Sequence, residues 1–236
     1  MNNMRSRGVD ELFLKVVEEG RSFLLEHEAK KICCLYGMPV TKVIPTKSEE
    51  EALDAAQTIG FPVVLKIISP QILHKSDLGG VIIGINDESE LISSYRKIIG
   101  NVRERMPEAD ITGVLVQEMV PHDTEVIVGS TYDPTFGPTI MFGVGGIFVE
   151  ILEDVSFRLI PITEEDAWEM VNEIKAYKIL DGVRGNPPVN KKSIIDVLLK
   201  TSTMVGECPE IRELDLNPIM ASSDGVIIVD ARIILQ

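Results

Sequence analysis

Helical and strand-like patterns of apolar positions alternate in the first half of the chain. Apolar residues spaced by three and four indicate helices, and short apolar runs between turn residues indicate strands. Ser48-Glu49-Glu50-Glu51 is a capping box that opens a helix, and Gly37 lies where a preceding helix would end. The predicted elements, in order, are helix 9–36 (possible in two pieces), helix 48–60, strand 62–68, strand 80–86 and helix 88–105.

Strand patterns dominate the second half. Short apolar runs separated by Pro, Asp and Gly are typical of an antiparallel sheet. The predicted elements are strands 112–119, 125–131, 138–143 and 148–152, helices 163–176 and 191–205, and strands 211–220 and 226–234. We therefore expect an α+β fold (a two-lobed α/β arrangement), with one lobe over residues 1–110, another over residues 111–236 and a cleft between them.

Net charge and apolar content limit the class of protein. The chain has 37 acidic and 23 basic residues, a net charge of −14, whereas nucleic-acid binding needs clustered Lys and Arg. The N-terminal residues lack the apolar stretch of a signal peptide, and no apolar run reaches the roughly 18 residues of a membrane span. These features predict a cytoplasmic protein that binds neither nucleic acid nor a membrane.

His74 lies in a polar stretch after an apolar strand that carries a single lysine, Lys66. Ser69-Pro70 breaks the strand before the histidine, and Gly79-Gly80 ends the stretch after it. A neutral imidazole nitrogen can accept and return a phosphoryl group near neutral pH. On this segment alone, an ordinary loop histidine is the favoured interpretation.

The C-terminal hairpin gathers acidic and amide side chains. Because side chains alternate along a strand, Asp215 and Asn217 share one face, and so do Asp230 and Arg232. A two-residue turn within residues 223–225 allows two registers, which place Asn217 opposite Asp230 or opposite Arg232. Oxygen ligands of this number suit Mg²⁺. The alternative is a polar stripe on a hairpin that faces solvent.

Two further segments have the residue types of a nucleotide site. Glu118 and Glu125 bracket a short connector between strands, where a carboxylate and backbone groups can hold an adenine and a ribose. Residues 142–148 are rich in glycine, as backbone that approaches a phosphate must be, although a tight hairpin explains them as well. Arg158 and Arg184 could contact phosphate or a partner, or could be surface residues.

Taken together and in this order, these segments resemble the ATP-grasp superfamily. More closely, they are similar to the nucleotide-binding β subunit of ADP-forming acetyl-CoA synthetases (the NDP-forming acyl-CoA synthetases), relatives of succinyl-CoA synthetase. The resemblance covers the chain from about residue 20. It rests on Glu26-His27-Glu28-Ala29-Lys30, Val64-Leu65-Lys66, Ser69-Pro70, His74-Lys75-Ser76-Asp77, Gly79-Gly80, Gln117-Glu118-Met119-Val120, Phe142-Gly143-Val144-Gly145-Gly146, Glu213-Leu214-Asp215-Leu216-Asn217-Pro218 and Val229-Asp230-Ala231-Arg232.

The resemblance implies a nucleotide site for ATP or ADP. Lys66 would contact the phosphates, with Gly79 and Gly80 in the turn that covers them. Glu118 and the backbone of Val120 would bind adenine, and Glu125 the ribose.

The resemblance also implies a metal site and a phosphorylated residue. Asn217 and Asp230 match the positions that bind Mg²⁺, and His74 matches the histidine that becomes phosphorylated. Asp215 matches an acidic residue near that phosphohistidine.

The family reaction is acyl-CoA + ADP + phosphate ⇌ acid + CoA + ATP. The sequence offers neither a dinucleotide-type glycine fingerprint for binding CoA nor a second histidine in a catalytic setting. The family therefore implies a separate CoA-binding α subunit, in an α2β2 assembly, whose phosphoryl group His74 receives and passes to Mg-ADP. Two alternatives remain at this point: an ATP-grasp carboxylate–amine ligase, and a nucleotide-binding regulatory subunit without catalytic activity.

Overall fold

The computed structural model describes residues 6–72, 74–121, 123–183 and 187–236. Its helices are α1 (Arg7–Glu18), α2 (Glu26–Leu35), α3 (Glu49–Ile59), α4 (Glu88–Arg105), α5 (Ile147–Glu150), α6 (Glu164–Glu173) and α7 (Lys191–Glu207). Its strands are β1 (Val43–Thr46), β2 (Val63–Ile68), β3 (Val81–Ile85), β4 (Gly113–Glu118), β5 (Thr124–Asp133), β6 (Gly137–Val144), β7 (Val155–Leu159), β8 (Ile211–Ala221), β9 (Val226–Ile228) and β10 (Ala231–Leu235). Two 3-10 helices lie at Ser76–Leu78 and Lys175–Asp181.

Two compact units make up the chain. The smaller unit is Thr41–Val120, and the larger unit combines Met1–Val40 with Pro121–Gln236. This division differs from the expected boundary between residues 110 and 111. The reason is that β4 is an inner strand of the smaller unit's sheet, while α1 and α2 contribute to the hydrophobic core of the larger unit.

The smaller unit is an antiparallel sheet in the order β1-β4-β2-β3. Alternate residues of β2, namely Val63, Leu65 and Ile67, point to the face that shares a core with α3 and α4. The helices begin where the sequence indicates: Ser48 Oγ accepts a hydrogen bond from the backbone N–H of Glu51, and Asp87 Oδ1 accepts one from Glu90.

The larger unit has a six-stranded sheet in the order β10-β8-β5-β6-β7, with β9 paired to β8. One core joins α1, α2, α6 and α7 to the buried faces of these strands. The predicted helix 9–36 is indeed two helices. Among the described residues, no helix is both long enough and apolar enough to span a bilayer.

The predicted strand 148–152 is wrong. Residues 147–150 form the short helix α5, and the strand follows it as β7. An apolar run this short does not distinguish helix from strand. In β7 the usual pattern is inverted, because Ser156 is buried while Phe157 and Leu159 are exposed. That inversion explains why the sequence pattern does not indicate a strand there.

Candidate functional site

The register of the C-terminal hairpin matches the first of the two predicted alternatives. Ile219 pairs with Ile228 and Leu216 with Ala231, so the pairing has the same register on both sides of Asn217. Asn217 therefore lies opposite Asp230. The turn that sets this register is closed by the backbone N–H of Ser222, which donates to Gly225 O at 2.8 Å.

The two faces of β8 differ as the sequence predicts. Leu214 and Leu216 are buried in the core, whereas Asp215 is half-buried and Asn217 is exposed. Asp215 lies directly across from Arg232, whose Nη2 is 3.5 Å from Asp215 Oδ2. This ion pair places a positive charge among the carboxylates on the polar face and so reduces their mutual repulsion.

Asp230 and Asn217 have the donor atoms that Mg²⁺ prefers, a carboxylate and an amide oxygen. Asp230 Oδ1 accepts a hydrogen bond from the backbone N–H of Ala231 at 2.8 Å, which orients the carboxyl group. In the part of the chain that the structure describes, no group of three or more His, Cys, Asp or Glu residues is arranged to hold a metal. A magnesium ion here would therefore complete its coordination with water and phosphate oxygens, as this ion usually does.

Glu125 lies on the same polar face. Side chains alternate along β5, so Glu125 and Gly129 point to the same side, and Gly129 is directly opposite Asp215. Gly145 packs against Glu125: a Cβ on Gly145 would be 2.9 Å from Glu125 Cβ. The backbone N–H of Gly145 also donates to Glu125 O at 2.8 Å. The glycine-rich segment thus brings bare backbone against the predicted ribose-binding residue.

Lys66 lies at the centre of the smaller unit's sheet, opposite Leu115 on β4 and Val81 on β3. It points away from the face that packs on α3 and α4, and only 5% of its surface is exposed. A lysine so deeply buried requires an anionic or hydrogen-bonding environment. Contact of Lys66 with phosphate stays a prediction from the sequence.

Glu118 and Val120 end β4 and begin the connector to β5. The backbone N–H of Lys42 donates to Glu118 Oε1 at 2.7 Å, and the N–H of Glu118 donates to Lys42 O at 3.0 Å. The side chain of Glu118 therefore fixes the start of β1 against the end of β4. Val120 is half-buried.

His74 is exposed in the loop between β2 and β3. On its N-terminal side, Ile72 is buried in the core of the smaller unit, and Gln71 Oε1 accepts a hydrogen bond from the N–H of Asp110 at 3.0 Å. On its C-terminal side, residues 75–80 form a closed turn. Leu73 lies outside the described residues.

The closed turn contains both predicted glycines. Gly79 has φ +64°, which favours glycine, and its N–H donates to Ser76 O at 3.0 Å. The N–H of Gly80 donates to Lys75 O at 2.8 Å, the bond pair of a Schellman motif. A Cβ on Gly80 would be 2.7 Å from Ile67 Cγ2, so the turn lies tightly against β2.

Two side chains of α4 that the sequence does not single out hold this turn. Arg105 Nη1 donates to Asp77 O at 2.7 Å, and Asn101 Nδ2 donates to Gly79 O at 3.1 Å. They are four residues apart on α4 and so share one side of the helix. The sequence carries no signal for either, because both bind backbone oxygens rather than a complementary side chain.

Arg158 is not available as a phosphate ligand in this arrangement. Its guanidinium pairs with Glu173 at 2.8 Å and Glu169 at 3.2 Å, and the hydrogen bond to Glu173 is the main cause of a raised pKa. Burial lowers the pKa of His27 in α2. Arg184 and His122 lie outside the described residues.

The predicted site residues thus fall into two groups. Each group shares one compact unit. The larger unit brings Glu125, Asp215, Asn217 and Asp230 to one face of its sheet, and the smaller unit holds Lys66, His74, Gly79, Gly80, Glu118 and Val120.

Comparison with known families confirms the fold family that the sequence motifs indicate. The model of the ATP-grasp domain family matches residues 15–235, nearly the whole chain. The chain belongs to the ATP-grasp family. Within it, the chain is 52% identical over 225 residues to the acetate–CoA ligase [ADP-forming] I subunit beta of Pyrococcus furiosus, covering 95% of this chain and 97% of that protein.

Solved structures of one relative are also similar to this chain. The dinucleotide-forming acetyl-coenzyme A synthetase 1 of Ca. Korarchaeum cryptofilum is 48% identical in one structure, with a TM-score of 0.85 and coverage of 97% and 100% of the two chains. That structure contains coenzyme A and Mg-AMPPCP, and its phosphohistidine segment points towards the nucleotide binding site. Another, 50% identical with a TM-score of 0.91 and the same coverage, has a phosphorylated phosphohistidine segment in a site I orientation.

Proposed function

We propose that this chain is the nucleotide-binding β subunit of an ADP-forming acetate–CoA ligase. The observation that carries the proposal is the 52% identity to the Pyrococcus β subunit over nearly the full length of both chains. The overall reaction is acyl-CoA + ADP + phosphate ⇌ acid + CoA + ATP. Only the transfer of the phosphoryl group to the nucleotide takes place on this subunit.

His74 is the residue to which we assign that transfer. In the first step, a ring nitrogen of His74 uses its lone pair to form an N–P bond with the phosphoryl group, while the N–P bond to a histidine of the α subunit breaks. In the second step, the new N–P bond breaks as an oxygen of the ADP β-phosphate forms the O–P bond of ATP. The other ring nitrogen keeps its proton throughout, so the two steps balance without an additional acid or base. An exposed histidine is suited to both encounters.

The remaining site residues position the nucleotide. Lys66 would contact its phosphates, with Gly79 and Gly80 in the turn that covers them. The backbone of Glu118 and Val120 would bind the adenine edge, since the Glu118 carboxylate already accepts the N–H of Lys42. Glu125 would hold the ribose.

The larger unit supplies the metal ligands. Asn217 and Asp230 would hold Mg²⁺, which offsets the negative charge of the phosphates during transfer. Asp215, paired with Arg232, would lie near the phosphorylated histidine and orient it.

The two alternatives have less support. A carboxylate–amine ligase activates its acid directly and needs no phosphorylated histidine, and a regulatory subunit needs nucleotide binding alone. The Korarchaeum relative has a phosphohistidine segment. We assign His74 to the corresponding segment of this chain on the sequence motif around it.

The proposal requires a partner. A β subunit of this family acts with an α subunit, which would bind CoA and the acyl group. We propose an α2β2 assembly. A cytoplasmic location and the absence of nucleic-acid and membrane partners stay predictions from the sequence.

The experiment is to incubate the purified chain with γ-labelled ATP and Mg²⁺ and to measure protein-bound phosphate that is stable to base and labile to acid. We expect stoichiometric label that maps to His74 and is absent from His74→Ala. Folded protein that binds ATP and acquires no label would contradict the proposal, and would favour the ligase or the regulatory subunit.

A further inference from the structure

The two ends of the His74 loop are held by different kinds of contact. Before the histidine, Ile72 is 4% exposed and belongs to the core of the smaller unit. After it, residues 75–80 form the closed turn, in which Leu78 is half-buried and packs against the edge of that core. Displacing residues 69–72 would therefore expose the buried side chain of Ile72, whereas displacing the turn would expose only the half-buried side chain of Leu78.

The closed turn is a preformed unit. Its two internal backbone bonds, Gly79 N–H to Ser76 O and Gly80 N–H to Lys75 O, join residues of the turn to one another. These bonds can persist if the turn moves as a body. Among the external bonds, Ile67 N–H of β2 donates to Gly80 O at 2.8 Å, at the end of the turn where β3 begins. Two others come from α4 and must break when the turn moves away from that helix.

We call Asn101 and Arg105 the α4 clasp. Each donates one hydrogen bond to a carbonyl oxygen of the turn: Asn101 Nδ2 to Gly79 O at 3.1 Å, and Arg105 Nη1 to Asp77 O at 2.7 Å. Neither bond involves a carboxylate, and Arg105 is exposed, so water can replace the donor when the turn leaves. The two hydrogen bonds of the clasp therefore stabilise the turn on α4, and water can replace them when the turn moves away.

The closed turn fits closely against α4. A Cβ on Gly79 would lie 2.9 Å from Asn101 Nδ2 and 3.3 Å from Asn101 Cβ. Only a glycine lets the turn approach α4 this closely. The fit indicates that α4 is a specific docking surface for the turn rather than a neighbour by chance.

We infer that the α4 clasp sets the balance between two positions of the His74 loop, in one of which the closed turn is seated on α4. Residues 69–72 act as the fixed pivot. This inference rests on the proposed function, in which His74 meets both a nucleotide and a partner. Asn101 and Arg105 are thus positioning residues that act through His74 and contact neither substrate.

The size of the effect follows from the bonds. One net hydrogen bond to a carbonyl oxygen changes an equilibrium constant by a factor of about 2 to 12. Removing one clasp donor should shift the balance between the two positions by about that factor. Since the populations of the two positions sum to one, a gain for one half-reaction is a loss for the other.

The test measures two half-reactions of the phosphorylated chain, each in a single turnover. One is ATP formation on adding Mg-ADP, and the other is loss of the phosphoryl group to the α subunit of the Pyrococcus relative on adding acetate and CoA. The variants are Arg105→Ala, Asn101→Ala and the double variant. The matched control is Arg103→Ala, which removes the same charge from an exposed position of α4. Arg105→Lys retains one donor.

We expect the ratio of the two rates to change at least about twofold in each single variant and further in the double variant. The two rates should move in opposite directions. Arg103→Ala should match wild type, and Arg105→Lys should recover part of the change. Melting temperature, measured in parallel, should not follow the ratio.

The inference is overturned if the ratio stays within twofold of wild type in the double variant, or if both rates fall together in proportion to lost stability. Failure of the proposed function is distinguishable from this, because neither wild type nor any variant would then acquire phosphohistidine.

Discussion

The C-terminal hairpin is built into a sheet, whereas the His74 loop is attached to one. Strand β8 has β10 and β9 paired on one side and β5 on the other, so its backbone is bonded at both edges before and after Asn217, where the register with β5 shifts. The turn after His74 is held from α4 by two side-chain hydrogen bonds, at Asp77 and Gly79. The comparison teaches that the proposed metal ligands lie on paired backbone, while the position that we infer for the histidine depends on a few exchangeable bonds.

The difference should appear first in stability. Leu216 is 0% exposed in the core beneath the polar face, and Leu216→Ala should lower the free energy of unfolding by about 2 to 5 kcal/mol. Leu78, in the turn, is half-buried, and Leu78→Ala should cost about 1 kcal/mol. Urea denaturation of both variants measures this. Equal losses would mean that the loop is as firmly built into the fold as the hairpin.

Acid should weaken the larger unit through Glu28. Its carboxylate accepts hydrogen bonds from Arg21 and Lys15, which lower its pKa from 4.5 to about 2 against the opposing effect of burial. Arg21 Nη1 also donates to Phe23 O, and Phe23 bridges to Ile234 of β10, so this network supports the hairpin.

Because the pKa of Glu28 is lower in the folded state, its contribution is fully present above about pH 4.5 and is lost as the pH falls towards 2. The contribution is about 3 kcal/mol by linkage. Glu28→Gln should remove that part of the pH dependence of unfolding, and Glu11→Gln, in an exposed ion pair with Arg7, should not. An unchanged slope in Glu28→Gln between pH 4.5 and 2 would contradict this assignment.

Removing the charge of residue 230 should weaken Mg²⁺ binding without lowering the stability of the fold. Asp230→Asn keeps an oxygen and the shape of the side chain but removes the negative charge that favours Mg²⁺. We expect Mg-ADP affinity, measured by calorimetry, to fall at least about tenfold, with little change in melting temperature. Asp224→Asn, in the exposed turn of the same hairpin, is the matched control. Equal affinities for the two variants would argue against a metal ligand at residue 230.

The parts of the structure that follow from local patterns could be predicted from sequence. The alternation of Leu214 and Leu216 with Asp215 and Asn217 follows from the two-residue period of a strand. The helix cap at Ser48 follows from the capping-box spacing of Ser48 and Glu51, and the structure has the hydrogen bond between them. The hairpin register could be narrowed only to two alternatives, because the turn residues permit both. The structure has Asn217 opposite Asp230.

Other features depend on contacts between distant segments. Strand β7 carries its polar residue Ser156 inward, so its pattern is the reverse of an ordinary strand. The α4 clasp binds carbonyl oxygens, which every residue has, and so leaves no mark in the sequence. The smaller unit extends to Val120, beyond the boundary expected after residue 110, because β4 pairs with β1 and β2, which precede it by many residues.

The measurement that tests the central claim most directly is a chase of the isolated phosphorylated chain. The account requires that phosphorylated His74 transfers its phosphoryl group to Mg-ADP. On rapid mixing with Mg-ADP, we predict that the label leaves His74 and appears as ATP, at a rate no slower than turnover of the complete enzyme with its α subunit. A phosphorylated chain that keeps its label in Mg-ADP while the complete enzyme turns over would contradict the account.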